Sequence, residues 1–174
     1  QTGKKLDVIL KVRDDERGII QSASFPNEYA RIKCDDNDKT VTLIDKASDT
    51  TRHTMQTGGE CRDDELEVFD YNFDGNPDFS VFESSYAGPN TSRLYYLYDS
   101  AKRDYVLTEE LSLTSLEFDP KSRTITATNQ CCAGSRILVE TYRWTGPKLK
   151  RVSEICYVLD KKGHHVAKPG KVCE

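Results

Sequence analysis

The chain has 174 residues, with 31% charged and 9% aromatic side chains and a formal net charge of −4. That length suits one all-β domain over residues 1–174 with a real core, and the composition is that of a folded chain rather than a disordered one. The acidic balance argues against nucleic acid as the main partner, and no apolar run is long enough to span a membrane.

The N-terminal third reads as short strands parted by turns. Leu6, Val8, Leu10 and Val12 share one face of a strand, and residues 14–18 read as a turn. Strands over 19–23 and 30–33 flank a turn at Phe25-Pro26-Asn27. Residues 34–38 form a further acidic turn before a strand over 40–44. That turn lacks the glycine and late carboxylate of a cation loop, so a solvated turn is the favoured reading. Residues 46–59 are polar, end in Gly58-Gly59, and read as an irregular connection in which His53 stands alone.

The most informative stretch follows, ELEVFDYNFDGNPDFSVF over 65–82. It reads as strand, acidic loop, strand. Asp70, Asn72, Asp74 and Asp78 put oxygen ligands at positions 1, 3, 5 and 9 of the loop, and Gly75 stands at position 6. Ca²⁺ is a hard cation that takes six to eight oxygens, and three carboxylates with an amide on one tight turn suit it. The loop is not an EF-hand. Position 12 is Val81 instead of a bidentate Glu, and the flanks alternate with the period of strands. The expectation is a structural Ca²⁺ in a β-hairpin loop, with Asp78 as the late ligand and a backbone carbonyl near Asn76 helping. The alternative is an Asp/Asn/Gly turn that binds nothing.

A Ser/Gly/Pro-rich loop over 83–92 comes next, then the aromatic strand 93–99. Apolar groups on both of its faces, Leu94, Tyr96 and Tyr98 against Tyr95 and Leu97, predict a central strand. Residues 99–104 form a hairpin turn, 105–109 continue the sheet, and Leu111, Leu113 and Leu116 are expected to pack beneath. After a turn at 118–122, a strand over 123–129 buries Ile125 and Ala127. A strand over 137–144 carries the lone Trp144 as a core anchor, and short strands over 149–152 and 155–159 lead through a turn into the tail. No segment shows a clean helical period with caps. The fold class is all-β: stacked antiparallel hairpins, propeller-like, with disulfides.

The six cysteines are Cys34, Cys61, Cys131, Cys132, Cys156 and Cys173. An even count, no C-x-x-C pair and a start at Gln1 without Met point to an exported chain in an oxidising compartment, periplasmic, outer-membrane-anchored or secreted. A lipid anchor upstream is compatible with this. Cys34–Cys61 is one candidate bridge. Cys156 and Cys173 can pair with each other or take Cys131 and Cys132. Cys131 with Cys132 is disfavoured, because neighbouring Cα atoms lie about 3.8 Å apart, below the usual disulfide span of about 4.4–6.8 Å.

Catalysis finds little support. His164 and His165 are adjacent, so on a strand they would point to opposite faces. The sequence holds no G-x-S-x-G, no H-E-x-x-H and no phosphate-binding glycine loop. Glu83, Glu109 and Glu110 are available as a glycosidase pair, but nothing in the sequence puts two of them across a cleft.

Several landmarks together resemble a known family. They are Asp70-x-Asn72-x-Asp74-Gly75-x-x-Asp78-Phe79, Leu94-Tyr95-Tyr96-Leu97-Tyr98-Asp99, Glu110-Leu111, Phe118-Asp119-Pro120, Glu140-Thr141-Tyr142-x-Trp144 and Lys148-Leu149. Their order over about residues 60–154 is similar to that in exported calcium-binding immunity lipoproteins of Gram-negative bacteria. Those proteins oppose peptidoglycan-hydrolysing effectors of type IV secretion systems, and their propeller-like fold is similar to that of periplasmic inhibitors of invertebrate-type lysozyme. The resemblance implies inhibition of a peptidoglycan hydrolase, a lysozyme-like effector, by a loop that enters its substrate cleft. Here that loop carries Ser84, Ser85, Tyr86 and Gly88. It departs from the family's Ser-Gly order, and residues 130–134 carry cysteines where many relatives have none. A calcium-stabilised binding module for glycans or surface proteins is the second reading. Exposed tyrosines on the aromatic strand would favour it.

Overall fold

In a computed structural model, the structure describes residues 11–173 apart from 16–17, 25–27, 36–37, 46 and 58–65, with side chains described for 30–31, 39–45, 47–57 and 66–173. Among the described residues fourteen strands form three antiparallel sheets. In each sheet, strands adjacent in sequence are adjacent in space. No α-helix occurs among the described residues, and no helix there is long and apolar enough to cross a membrane. The all-β expectation of stacked antiparallel hairpins holds.

The chain groups into two compact units, Gln1–Glu83 with Arg93–Leu107 and Ser84–Ser92 with Thr108–Glu174. The first holds a five-stranded sheet: β1 (Lys11–Asp15), β2 (Gly18–Ser24), β3 (Glu28–Asp35), β4 (Asp38–Asp45) and β5 (Thr50–Thr57). The next sheet is β6 (Leu66–Phe69), β7 (Asp78–Ser85), β8 (Thr91–Asp99) and β9 (Asp104–Leu107). Ala30, Val41 and Leu43 of the first sheet meet Leu66, Phe79, Val81, Tyr96 and Tyr105 of the second in one buried cluster. Phe79 is central to it, stacked on Tyr96 at 4.8 Å and tilted against Tyr105 at 5.0 Å between ring centroids. Val81, at position 12 of the acidic loop, is fully buried here, as a residue with no ligand role should be. Lys39 is also buried: its Nζ donates to the Phe82 carbonyl at 2.7 Å and sits 5.5 Å over the Phe82 ring.

The second unit holds β10 (Leu116–Asp119), β11 (Thr124–Cys131), β12 (Arg136–Thr145), β13 (Lys148–Leu159) and β14 (His165–Pro169). Ile125 and Ala127 of β11 are buried, as their alternation predicts, and so is Leu111 in the segment before β10. Glu110 fastens that segment to the β12–β13 hairpin. One carboxylate oxygen accepts from Lys148 Nζ at 2.7 Å, the other from the Leu149 N–H at 2.8 Å. The Glu110-Leu111 and Lys148-Leu149 pairs are thus hydrogen-bonded to each other.

A single turn design recurs. Asp45, Asp99 and Asp119 each end a strand, Asp160 directly follows one, and all four accept backbone N–H bonds from the turn that follows. Four residues after the first three come Asp49, Arg103 and Arg123, each at a φ of 53°. The side chain satisfies donors that a tight turn would leave open, and the left-handed residue returns the chain antiparallel. Asp119 and Asp160 are exposed and Asp45 and Asp99 half-buried. Bonds from the Ser48 N–H and the Lys102 N–H hold Asp45 and Asp99 below the usual carboxylate range, and the Ser122 hydroxyl with the Lys121 N–H does so for Asp119.

Several expectations need correction. Residues 50–57 form strand β5, not an irregular connection. The strand is at a sheet edge and mostly exposed, so it carries no apolar alternation; its threonines supply the β-branched character. Asp14 and Asp15 belong to β1, and Cys34, Asp35 and Asp38 belong to paired strands instead of a turn. Ser84 and Ser85 end β7 and are not loop. Residues 148–159 are one strand, whose register against β12 shifts at Val152, opposite the Thr141–Tyr142 step. Trp144, expected as a buried anchor, is half-buried. Residues 165–169, expected as tail, form β14. The strand expected at 6–12 falls mainly outside the described residues, as do the turn at 25–27 and Cys61 with its proposed bridge to Cys34.

Candidate functional sites

The acidic turn joins β6 to β7. Its alternation divides the loop: Tyr71 and Phe73 are buried, while Asp70, Asn72 and Asp74 lie on the more open side. Tyr71 packs edge-on against Tyr95 at 4.9 Å, and its hydroxyl is 2.8 Å from Ser80 Oγ. The backbone is left-handed at Phe73 (φ 59°) and Gly75 (φ 95°), so the glycine is used as expected.

Asp70 accepts the N–H of Asp74 on one oxygen and of Gly75 on the other, at 2.9 and 2.8 Å. Asn72 Oδ1 accepts the Asp74 N–H at 3.0 Å, and its Nδ2 donates to Asp74 Oδ2 at 3.0 Å. Asp74 Oδ1 accepts the Asn76 N–H at 2.7 Å. Asp78 stands apart in character. It is wholly buried, and its two oxygens accept the Tyr71 and Tyr98 N–H groups at 2.8 Å each. Burial pushes its carboxyl up to about 7, opposed by those two bonds and reinforced by Asp74 and Asp70. Burial also raises Asp70.

This donor set fits a hard divalent cation in chemistry: three carboxylates and an amide on one turn, one of the carboxylates, Asp78, being buried. The side chains are not gathered into a ligating cluster. Among the described residues no three His, Cys, Asp or Glu side chains stand close enough to hold a metal.

The second feature is the turn between β7 and β8, residues 86–90. Tyr86 is 53% exposed at its start. Its N–H donates to the Asn90 carbonyl at 2.8 Å, and Gly88 takes a φ of 76°. Asn90 is only 7% exposed and holds the turn in place. Its Nδ2 donates to the carbonyls of Ala87 (3.2 Å) and Gln130 (2.7 Å), while Oδ1 accepts the Gln130 N–H at 2.9 Å. Thr91 and Ser115 add a backbone bond of 2.9 Å and a side-chain bond of 3.0 Å. Tyr86 therefore stands on a braced turn. Ser92 Oγ donates to the Tyr86 hydroxyl at 3.2 Å, which leaves the phenol's own proton available. Ser85 is exposed and Ser84 half-buried.

Sequence reasoning did not find Asn90 and Gln130. A Pro-Asn pair marks a turn, but nothing local announces a partner forty residues on.

Cys156 and Cys173 are bonded to each other, with Cα atoms 5.6 Å apart. That settles the open alternative: neither takes Cys131 or Cys132. Both of those are free and exposed. His165 Nε2 is hydrogen-bonded to the Gly134 carbonyl at 2.9 Å, and His164 Nδ1 lies 3.9 Å from Asp160. Glu110 is held below the usual range by Lys148 and the Leu149 N–H, opposite to what a general acid needs.

Fold and turns together define an all-β protein of three antiparallel meanders with an acidic hairpin turn. No protein-family description matches the chain, and no curated protein matches it. A solved structure described as that of a Xanthomonas type IV secretion system related protein is similar. It has a TM-score of 0.53 and 18% identity, covering 96% of this chain and 91% of its own. At that identity the likeness concerns the fold.

Proposed function

We propose that this is a non-catalytic envelope immunity protein that inhibits a peptidoglycan hydrolase, a lysozyme-like effector, by inserting the Tyr86 turn into its active-site cleft. The exposed Tyr86 on a turn braced by buried Asn90 carries the reading. A pre-ordered aromatic plug loses little freedom on docking, and its hydroxyl can donate to a catalytic carboxylate. A net charge of −4 suits a cationic partner. The fold likeness to a type IV secretion system related protein supports the same setting, and with it an exported chain in the periplasm or anchored at the outer membrane. The glycan-module reading is less favoured, because Tyr95 and Tyr96 are each only 4% exposed and make no platform.

Titration against a panel of lysozymes and wall hydrolases tests the proposal. Stoichiometric inhibition of one enzyme is expected, lost in Tyr86→Ala with an unchanged melting temperature. No inhibition and no complex across the panel would overturn it.

Structural Ca²⁺ belongs to the same proposal. Asp70, Asn72, Asp74 and Asp78, which are not gathered around one point in this structure, would have to close on it together with a backbone carbonyl near Asn76, and its charge would offset the burial of Asp78. Added Ca²⁺ should raise the melting temperature of the chelator-treated protein, and Asp74→Ala should remove that response. A response unchanged in the variant sinks the assignment.

A further inference from the structure

We propose that Cys131 and Cys132 are a vicinal dithiol site that closes to a disulfide by exchange with a disulfide-bearing oxidant.

Neighbouring residues of a strand point to opposite faces, so adjacent cysteines normally keep their sulfurs well apart. Here they do not. Cys131 ends β11 in an extended conformation (φ −125°, ψ 178°), and Cys132 then turns left-handed at φ 58°. That reversal swings the second Cβ to the side of the first, and the two Sγ atoms lie 2.7 Å apart. The separation is closer to the bonded length of about 2.04 Å than to any ordinary non-bonded contact.

Ala133 (φ 54°) and Gly134 (φ 82°) continue the left-handed run. Side chains rarely adopt this backbone, and it persists only where the surroundings hold it. They do so from several directions. The Ser135 N–H and Oγ both donate to the Cys132 carbonyl, at 3.1 and 2.8 Å. His165 is bonded to the Gly134 carbonyl, and Asn90 fixes Gln130 just before the pair. No other cysteine of this unit is available, since Cys156 and Cys173 are bonded to each other. Both thiols are exposed to an incoming oxidant.

The short Cα separation across one peptide bond strains the ring, and strain makes a disulfide easier to reduce. The product is therefore a labile bond, unlike Cys156–Cys173. One thiolate attacks the oxidant's disulfide and forms a mixed disulfide. The neighbouring thiolate then displaces the second leaving thiol. Two thiols of the chain lose two protons and two electrons, and one disulfide of the oxidant becomes two thiols. The site stands whether or not the inhibitor reading does.

The test uses the full chain in glutathione buffers of rising oxidised-to-reduced ratio, acid-quenched, alkylated with iodoacetamide and digested with trypsin. The Thr124–Arg136 peptide should pass from doubly alkylated to unalkylated and lighter by two hydrogens. Added thiol should reverse this while Cys156–Cys173 stays intact. Phenylarsine oxide, which bridges two thiols, should bind the reduced chain one to one, and neither the oxidised chain nor Cys132→Ser. A peptide that stays doubly alkylated at every ratio would overturn the proposal. So would one that ends as a glutathione adduct or is linked to another peptide.

Discussion

Replacing Asn90 by Ala should loosen the Tyr86 turn by a calculable amount. The amide makes three hydrogen bonds, two with the Gln130 backbone and one with the Ala87 carbonyl, from a site only 7% exposed. Each contributes about 1 kcal/mol net, so the loss is about 3 kcal/mol. For a chain of this length that lowers the melting temperature by about 6–12 °C. A local readout separates this from general damage. Amide exchange followed by NMR should show the Gln130 N–H losing protection far more than the N–H groups of β4, since only the former loses its acceptor. Inhibition should weaken as well, because the plug would have to be ordered on docking. An unchanged melting temperature with a Gln130 amide as slow as in the parent chain would refute the reasoning.

Two further outcomes test the framework. Glu110 has a depressed pKa from Lys148 and the Leu149 N–H, so its contribution to stability is present above its ordinary value of 4.5 and is lost as pH falls through the lower folded value. In Glu110→Gln the acid limb of a stability–pH curve should be shallower, and a limb identical to that of the parent would remove the pair's role. Phe79→Ala removes a fully buried ring between Tyr96 and Tyr105 and should cost about 3–5 kcal/mol, read as a lower urea midpoint at constant m value. A midpoint close to the parent's would place the core elsewhere.

The sequence alone determined what depends on neighbours within a few residues. Alternation marked β8 as a strand apolar on both faces, and the structure places it between β7 and β9 with Tyr95 and Tyr96 buried. The D-Y-N-F-D-G run marked an acidic turn with a left-handed glycine, and the structure added that Tyr71 and Phe73 point inward. Asp99 and Asp119 were legible as turn residues, because an Asp side chain bonds the next few N–H groups wherever the chain reverses. Strand β5 was not legible, since an exposed edge strand shows no apolar period, and its identity comes from pairing with β4.

Tertiary structure alone decided the rest. Glu110 meets Lys148 across 38 positions, and Asn90 meets Gln130 across 40. It paired Cys156 with Cys173, and it turned Cys132 so that two sulfurs that a regular strand would separate now face each other. Local propensity is read over a turn or a strand. Partners set by the stacking of distant hairpins, and a φ held by bonds from other segments, leave no mark within that window.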